Sequence, residues 1–131
     1  MGALDGYKNT NRKLTDITDG TSNTAMIGES AGKPDYYAAG KLQPGVASFR
    51  PYYHTAWISW NAAAIRSWST DGLTQHGPCI INCTNADGGL YSFHTSGVNM
   101  VFADGSVHHI RATTNKLVVY ALVSKSMGEV A

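Results

Sequence analysis

YSFHTSGVNMVFADGSVHHI, residues 91–110, sets the architecture of this chain. Val98 to Phe102 is an apolar run, Asp104-Gly105 turns the chain, and Ser106 to Ile110 returns. An Asp-Gly pair between apolar runs is a strong hairpin signal, because glycine accepts the positive φ that the turn demands. Upstream, the polar break Thr95-Ser96-Gly97 separates this hairpin from Tyr91 to His94. Nine residues lie between His94 and Asp104. At about 3.3 Å per extended residue they stand far apart unless the 95–97 break folds back. A direct His94–Asp104 catalytic pair is therefore not expected.

Working outward, Thr24 to Glu29 reads as a buried strand, following the turn chemistry of Asp19-Gly20-Thr21-Ser22-Asn23. Residues 31–46 are rich in Gly, Pro and Tyr and read as loop, His54 to Ile58 as a strand, and Asn61 to Trp68 as ambiguous. Asp71 to Gly89 reads as an irregular excursion. After the hairpin, Thr113-Thr114-Asn115 supplies N-cap candidates. Leu117, Val118, Ala121 and Leu122 then recur at helical spacing through Ser126, with Gly128 as the stop. The expected class is α+β: an antiparallel sheet with long loops and one C-terminal helix, in a single domain over residues 1–131.

The 131 residues carry 43% hydrophobic and 15% charged side chains and a net charge of +1. That balance leaves no electrostatic footprint for nucleic acid. No apolar run approaches the roughly 20 residues that a membrane span needs, and Met1-Gly2-Ala3 opens no secretory signal. For an exported protein the signal is expected upstream. Cys79 and Cys83 admit three readings: a small-loop disulfide, a zinc site completed by His76 and His94, or two free thiols in the core. The disulfide is favoured, since Cys-x3-Cys is not a standard zinc spacing, and it suits an oxidising compartment.

Several side chains invite a chemical role. Asp104 can accept backbone N–H groups of its own turn, and Asp19 and Asn23 can form Asx-type bonds. Glu29 ends an apolar run, so if buried it must be paired, with Arg12, Lys13 or Arg111 as candidates. Trp57, Trp60 and Trp68 are core fillers or platforms for a sugar or a partner surface. His108 and His109 are adjacent and would face opposite sides of a strand. No serine or cysteine is tied to His94 by motif as a nucleophile.

Three segments carry a family resemblance: ITDGTSNTAMIGE (Ile17 to Glu29), INCTN…YSFHTSGVNMVFADGSV (Ile81 to Val107) and NKLVVYALVSKSMGEV (Asn115 to Val130). Together they resemble the C-terminal part of the prepilin-type His-X9-Asp-Gly proteins, a family of unknown function abundant in planctomycete bacteria. The motif positions are Asp19, Gly20, Ser22, Asn23, Glu29, His94, Gly97, Asn99, Asp104, Gly105 and Ser106. Thr95-Ser96-Gly97 replaces the usual Pro-Gly-Gly, and His109 stands where an aromatic is common.

The resemblance implies a pseudopilin-like globular domain whose N-terminal helix, the membrane contact of such proteins, lies outside this chain. It further implies a non-enzymatic, extracytoplasmic role in a surface filament, a secretion apparatus or the envelope, with other protein subunits or further copies of itself as partners. No cofactor is expected beyond a weak calcium candidate at Asp19, Asn23 and Asp104, because pseudopilins of secretion systems can hold calcium in such loops. Calcium needs six to eight oxygen ligands, and one aspartate does not make a site. The alternative is a module binding carbohydrate or another ligand through the tryptophans.

Overall fold

The computed structural model describes residues 13–44 and 65–124. Among these residues a short 3-10 turn (Leu14–Asp16), five strands and one α-helix are set among long loops: β1 (Ala25–Gly28), β2 (Tyr37–Ala38), β3 (Lys41–Leu42), β4 (Gly97–Phe102), β5 (Val107–Arg111) and α1 (Lys116–Val123). The fold is α+β. The antiparallel order β1-β4-β5 forms the main sheet, and β2 and β3 form a separate hairpin.

The β4–β5 hairpin follows from its turn. Gly105 takes φ +86°, and Phe102 and Ser106 close a three-residue loop through Phe102 N→Ser106 O at 2.8 Å. Strand alternation then sends Val98, Met100 and Phe102 inward, where each is buried. They meet Ile80, Ile81 and Leu90 from the long loop and Val119 from α1 in the main core. A Cβ on Gly97 would run into the carbonyl oxygen of Ile110, so the start of β4 requires glycine for close strand approach.

Helix α1 begins where its cap candidate stands, with the Asn115 side chain accepting from Leu117 N at 2.8 Å. It stops at Val123, short of the expected Ser126. Val118, Val119 and Val123 make it a weak helix former, held mainly by the fully buried Val119.

Two other expectations are corrected. β1 is not a buried strand throughout, because it lies at the sheet edge and Ile27 is 53% exposed. The 31–46 segment is not all loop: Ala39 (φ 48°) and Gly40 (φ 77°) form a tight two-residue turn that pairs β2 with β3. Asn85, fully buried, anchors this region. Its Oδ1 accepts from Tyr37 N at 2.9 Å, and its Nδ2 donates to Ala31 O at 3.0 Å and Asp35 O at 2.8 Å. The 71–89 excursion is irregular, held by isolated bridges rather than a ladder. The expected strand at 54–58, Trp57, Trp60, Arg12 and Gly128-Glu129 lie outside the described residues.

Candidate functional site

The outward face of the main sheet carries a row of polar side chains. Asn99 points out from β4 and faces His109 on β5, while Ile27 on β1 faces Val101. Glu29, two residues beyond Ile27, therefore reaches the level of Asn99. Its Oε1 accepts from Asn99 N at 3.0 Å, where a ladder carbonyl would otherwise sit. Glu29 is only partly buried, so the condition for a cationic partner does not arise, and Arg12 lies outside the described residues. β1 runs out opposite Asn99, so a backbone N–H meets the carboxylate, with His94 Nε2 nearby at 3.6 Å.

His94 reaches the same row because the 92–96 loop folds back. Buried Ser92 organises it: Ser92 N donates to Asn82 Oδ1 at 2.8 Å, its hydroxyl donates to Gly97 O, and it accepts from His94 N at 3.1 Å. His94 Nε2 lies 3.2 Å from Asn99 Nδ2 and 3.6 Å from Glu29 Oε1. Its side chain is 56% exposed and that of Glu29 is 32% exposed. On the other side, Asn99 Oδ1 lies 3.0 Å from His109 Nδ1, and His109 Nε2 lies 2.9 Å from Ser96 Oγ. Glu29, His94, Asn99, His109 and Ser96 thus form one hydrogen-bonded chain. His109 and Ser96 were missed as members. The signal was available in the register: a turn centred on Asp104-Gly105 pairs Val101 with Val107 and hence Asn99 with His109.

Asp104 sits at the opposite end of the hairpin. Its Oδ1 accepts from Ser106 N at 2.9 Å and Ser106 Oγ at 2.6 Å, and these bonds, the hydroxyl first, hold its carboxyl below the usual range. Ser106 Oγ also lies 2.9 Å from His108 Nε2, and the His108 ring packs on Phe102 at 4.5 Å. A serine beside a histidine suggests a nucleophile, but the hydroxyl proton goes to the carboxylate, the shorter and charge-assisted bond. His108 then meets a serine oxygen with no proton to give it, so this geometry does not activate Ser106.

The Asp19-Gly20-Thr21-Ser22-Asn23 loop braces that same corner. Asn23 Nδ2 donates to Asp19 O at 3.0 Å and Thr24 Oγ1 to Gly20 O at 3.1 Å, while Ser22 is exposed. Thr21 O and Thr24 O accept from Asp104 N (3.1 Å) and Ala103 N (2.8 Å), so the two marked loops meet backbone to backbone. Among the described residues, no three or more His, Cys, Asp or Glu side chains are placed to hold a metal ion.

Cys79 and Cys83 are bridged, with Cα atoms 6.0 Å apart, which removes the thiolates that a zinc site with His76 and His94 would need. Trp68 packs on Cys83 and Ala86 in a second small core and is only 1% exposed, so it cannot serve as a binding platform. Among the described residues, the large apolar aromatic left exposed is Phe93, beside His94. The residue is 63% exposed, and its ring stands edge-on to Tyr37 (5.1 Å, 81°) and Tyr91 (5.9 Å, 89°). Gly32, at φ +85°, leaves room for it: a Cβ there would come within 3.1 Å of Phe93 Cζ.

No curated protein and no solved structure matches the chain. Residues 2–117 match the family model described as "Protein of unknown function (DUF1559)", and the chain belongs to that family.

Proposed function

We propose that this is a non-enzymatic, extracytoplasmic interaction domain of the pilin-like or pseudopilin-like kind, serving a surface filament, a secretion apparatus or the envelope. One observation carries the reading: the marked polar side chains spend their hydrogen bonds on one another and on the backbone of their own sheet. Asn99 ties three strands and a loop together, and Asp104 closes its own turn. Groups so used hold an architecture. The contact surfaces are then β5, whose outer edge no strand pairs among the described residues, and the Phe93 spot. An open strand edge offers N–H and C=O groups to another chain.

The Cys79–Cys83 bridge supports an oxidising compartment, and the resemblance of the marked segments to prepilin-type proteins supports the filament or secretion setting. The partners are other protein subunits or further copies of this chain, and the membrane contact is an upstream helix. No cofactor is required. Cross-linking on intact cells followed by fractionation tests this. The protein should appear in cross-linked, envelope- or filament-bound species with the disulfide intact. Recovery as a free cytoplasmic monomer with reduced cysteines would refute it.

A second reading, a module for carbohydrate or another exported ligand, is favoured by the exposed Phe93 ring beside the Glu29–His94 row. Glycan binding lost on Phe93→Ala would support it. Full binding by that variant would place the ligand elsewhere.

A further inference from the structure

We infer that Asn99 is a one-proton selector between His94 and His109: its side-chain amide accommodates a second proton on either imidazole but not on both. The amide has one acceptor end and one donor end. Its donor end faces His94 Nε2 at 3.2 Å and its acceptor end faces His109 Nδ1 at 3.0 Å.

In this orientation His94 must accept at Nε2 and stay neutral. His109 donates from Nδ1 and is free to take a second proton at Nε2, which then donates to Ser96 Oγ at 2.9 Å. Turning the amide over reverses every role. His94 now donates from Nε2 to the amide oxygen and can be charged, beside Glu29 Oε1 at 3.6 Å. His109 must accept at Nδ1, stay neutral and donate to Ser96 from Nε2. Protonating both rings leaves one ring N–H against the amide NH2 group in either orientation. The restriction is the same whichever way the amide points.

Among the described residues, the charged groups on the elements that carry this pair are few. Glu29 stands just past the end of β1, and β5 contributes Arg111, two residues along from His109 on the same face of the strand. β4 and the 92–96 loop contribute no other charge. A second proton must break one of the two ring–amide links to Asn99.

Two results follow. With both rings neutral, the histidines share one tautomer: both Nδ1–H in the orientation described, or both Nε2–H in the reverse. On acidification the pair takes up its two protons in two coupled steps, not independently. Histidine ¹⁵N and Cε1–H NMR shifts followed from pH 8.5 to 4.5 read both, in the wild type and in Asn99→Ala and Asn99→Asp. Matched tautomers are expected, with a step separation that collapses in both variants. In Asn99→Asp both midpoints should also rise, because a carboxylate accepts from both rings. Mixed tautomers in the wild type would overturn the proposal without recourse to any variant. So would a separation that survives intact in Asn99→Ala, since simple repulsion between the two rings would then account for it.

Discussion

Replacing Asn85 by alanine removes three hydrogen bonds at one stroke. The side chain is fully buried, and it serves one backbone donor, Tyr37 N, and two backbone acceptors, Ala31 O and Asp35 O. Leaving a buried polar group unsatisfied costs about 1–3 kcal/mol. Most of residues 31–37 are only half-buried, so water can reach part of what is exposed, and the low end applies. Three groups at about 1 kcal/mol each give a loss of about 3 kcal/mol. A chain of 131 residues is expected to have about 7–20 kcal/mol in all, so the variant should still fold.

At a urea slope of about 2 kcal/mol/M the midpoint should fall by about 1.5 M with an unchanged slope, read by circular dichroism. Asn85→Asp should be no better than alanine, because a carboxylate keeps the Tyr37 bond but faces two carbonyl oxygens. A midpoint shift under about 0.3 M for alanine would refute the reasoning, since the three bonds would then be worth almost nothing net.

Replacing Cys79 and Cys83 together by serine should lower stability by about 2 kcal/mol, the chain-entropy value for so short a loop, seen as a urea midpoint loss that reduction of the wild type reproduces. Gly97→Ala should cost about 2–3 kcal/mol in thermal unfolding, because the new methyl pushes β4 off the Ile110 carbonyl and no side chain can yield. Burial pushes the Tyr91 phenol up, so the folded state holds that proton more tightly than the unfolded chain does. Its contribution is whole below about pH 10 and is lost as pH rises through the folded value, so the unfolding midpoint should drop more steeply in the wild type than in Tyr91→Phe above about pH 10.

The parts of this structure legible in the sequence are those written in local chemistry. Asp104-Gly105 and the alternation of Val98, Met100 and Phe102 place the β4–β5 hairpin, and Asn115 marks the start of α1. The β2–β3 hairpin was not legible: its strands are two residues long, and its turn is Ala39-Gly40 rather than an Asn-Gly or Asp-Gly pair. The partner of Glu29 depends on where β1 ends against β4, a tertiary fact that the cationic residues nearby in sequence do not reveal. The burial of Trp68 likewise depends on the disulfide loop closing over it. His109 was within reach, because counting outward from the turn pairs it with Asn99.

We propose above that this chain is the globular part of a pilin-like protein exported to an oxidising compartment. Mass spectrometry of the protein extracted from the cells that make it, without reducing agent, tests that most directly. The expected result is a processed N-terminus leading into an apolar helix upstream of residue 1, together with a Cys79–Cys83 bridged peptide. An unprocessed cytoplasmic protein with both thiols free, and no apolar helix ahead of this domain, would contradict it.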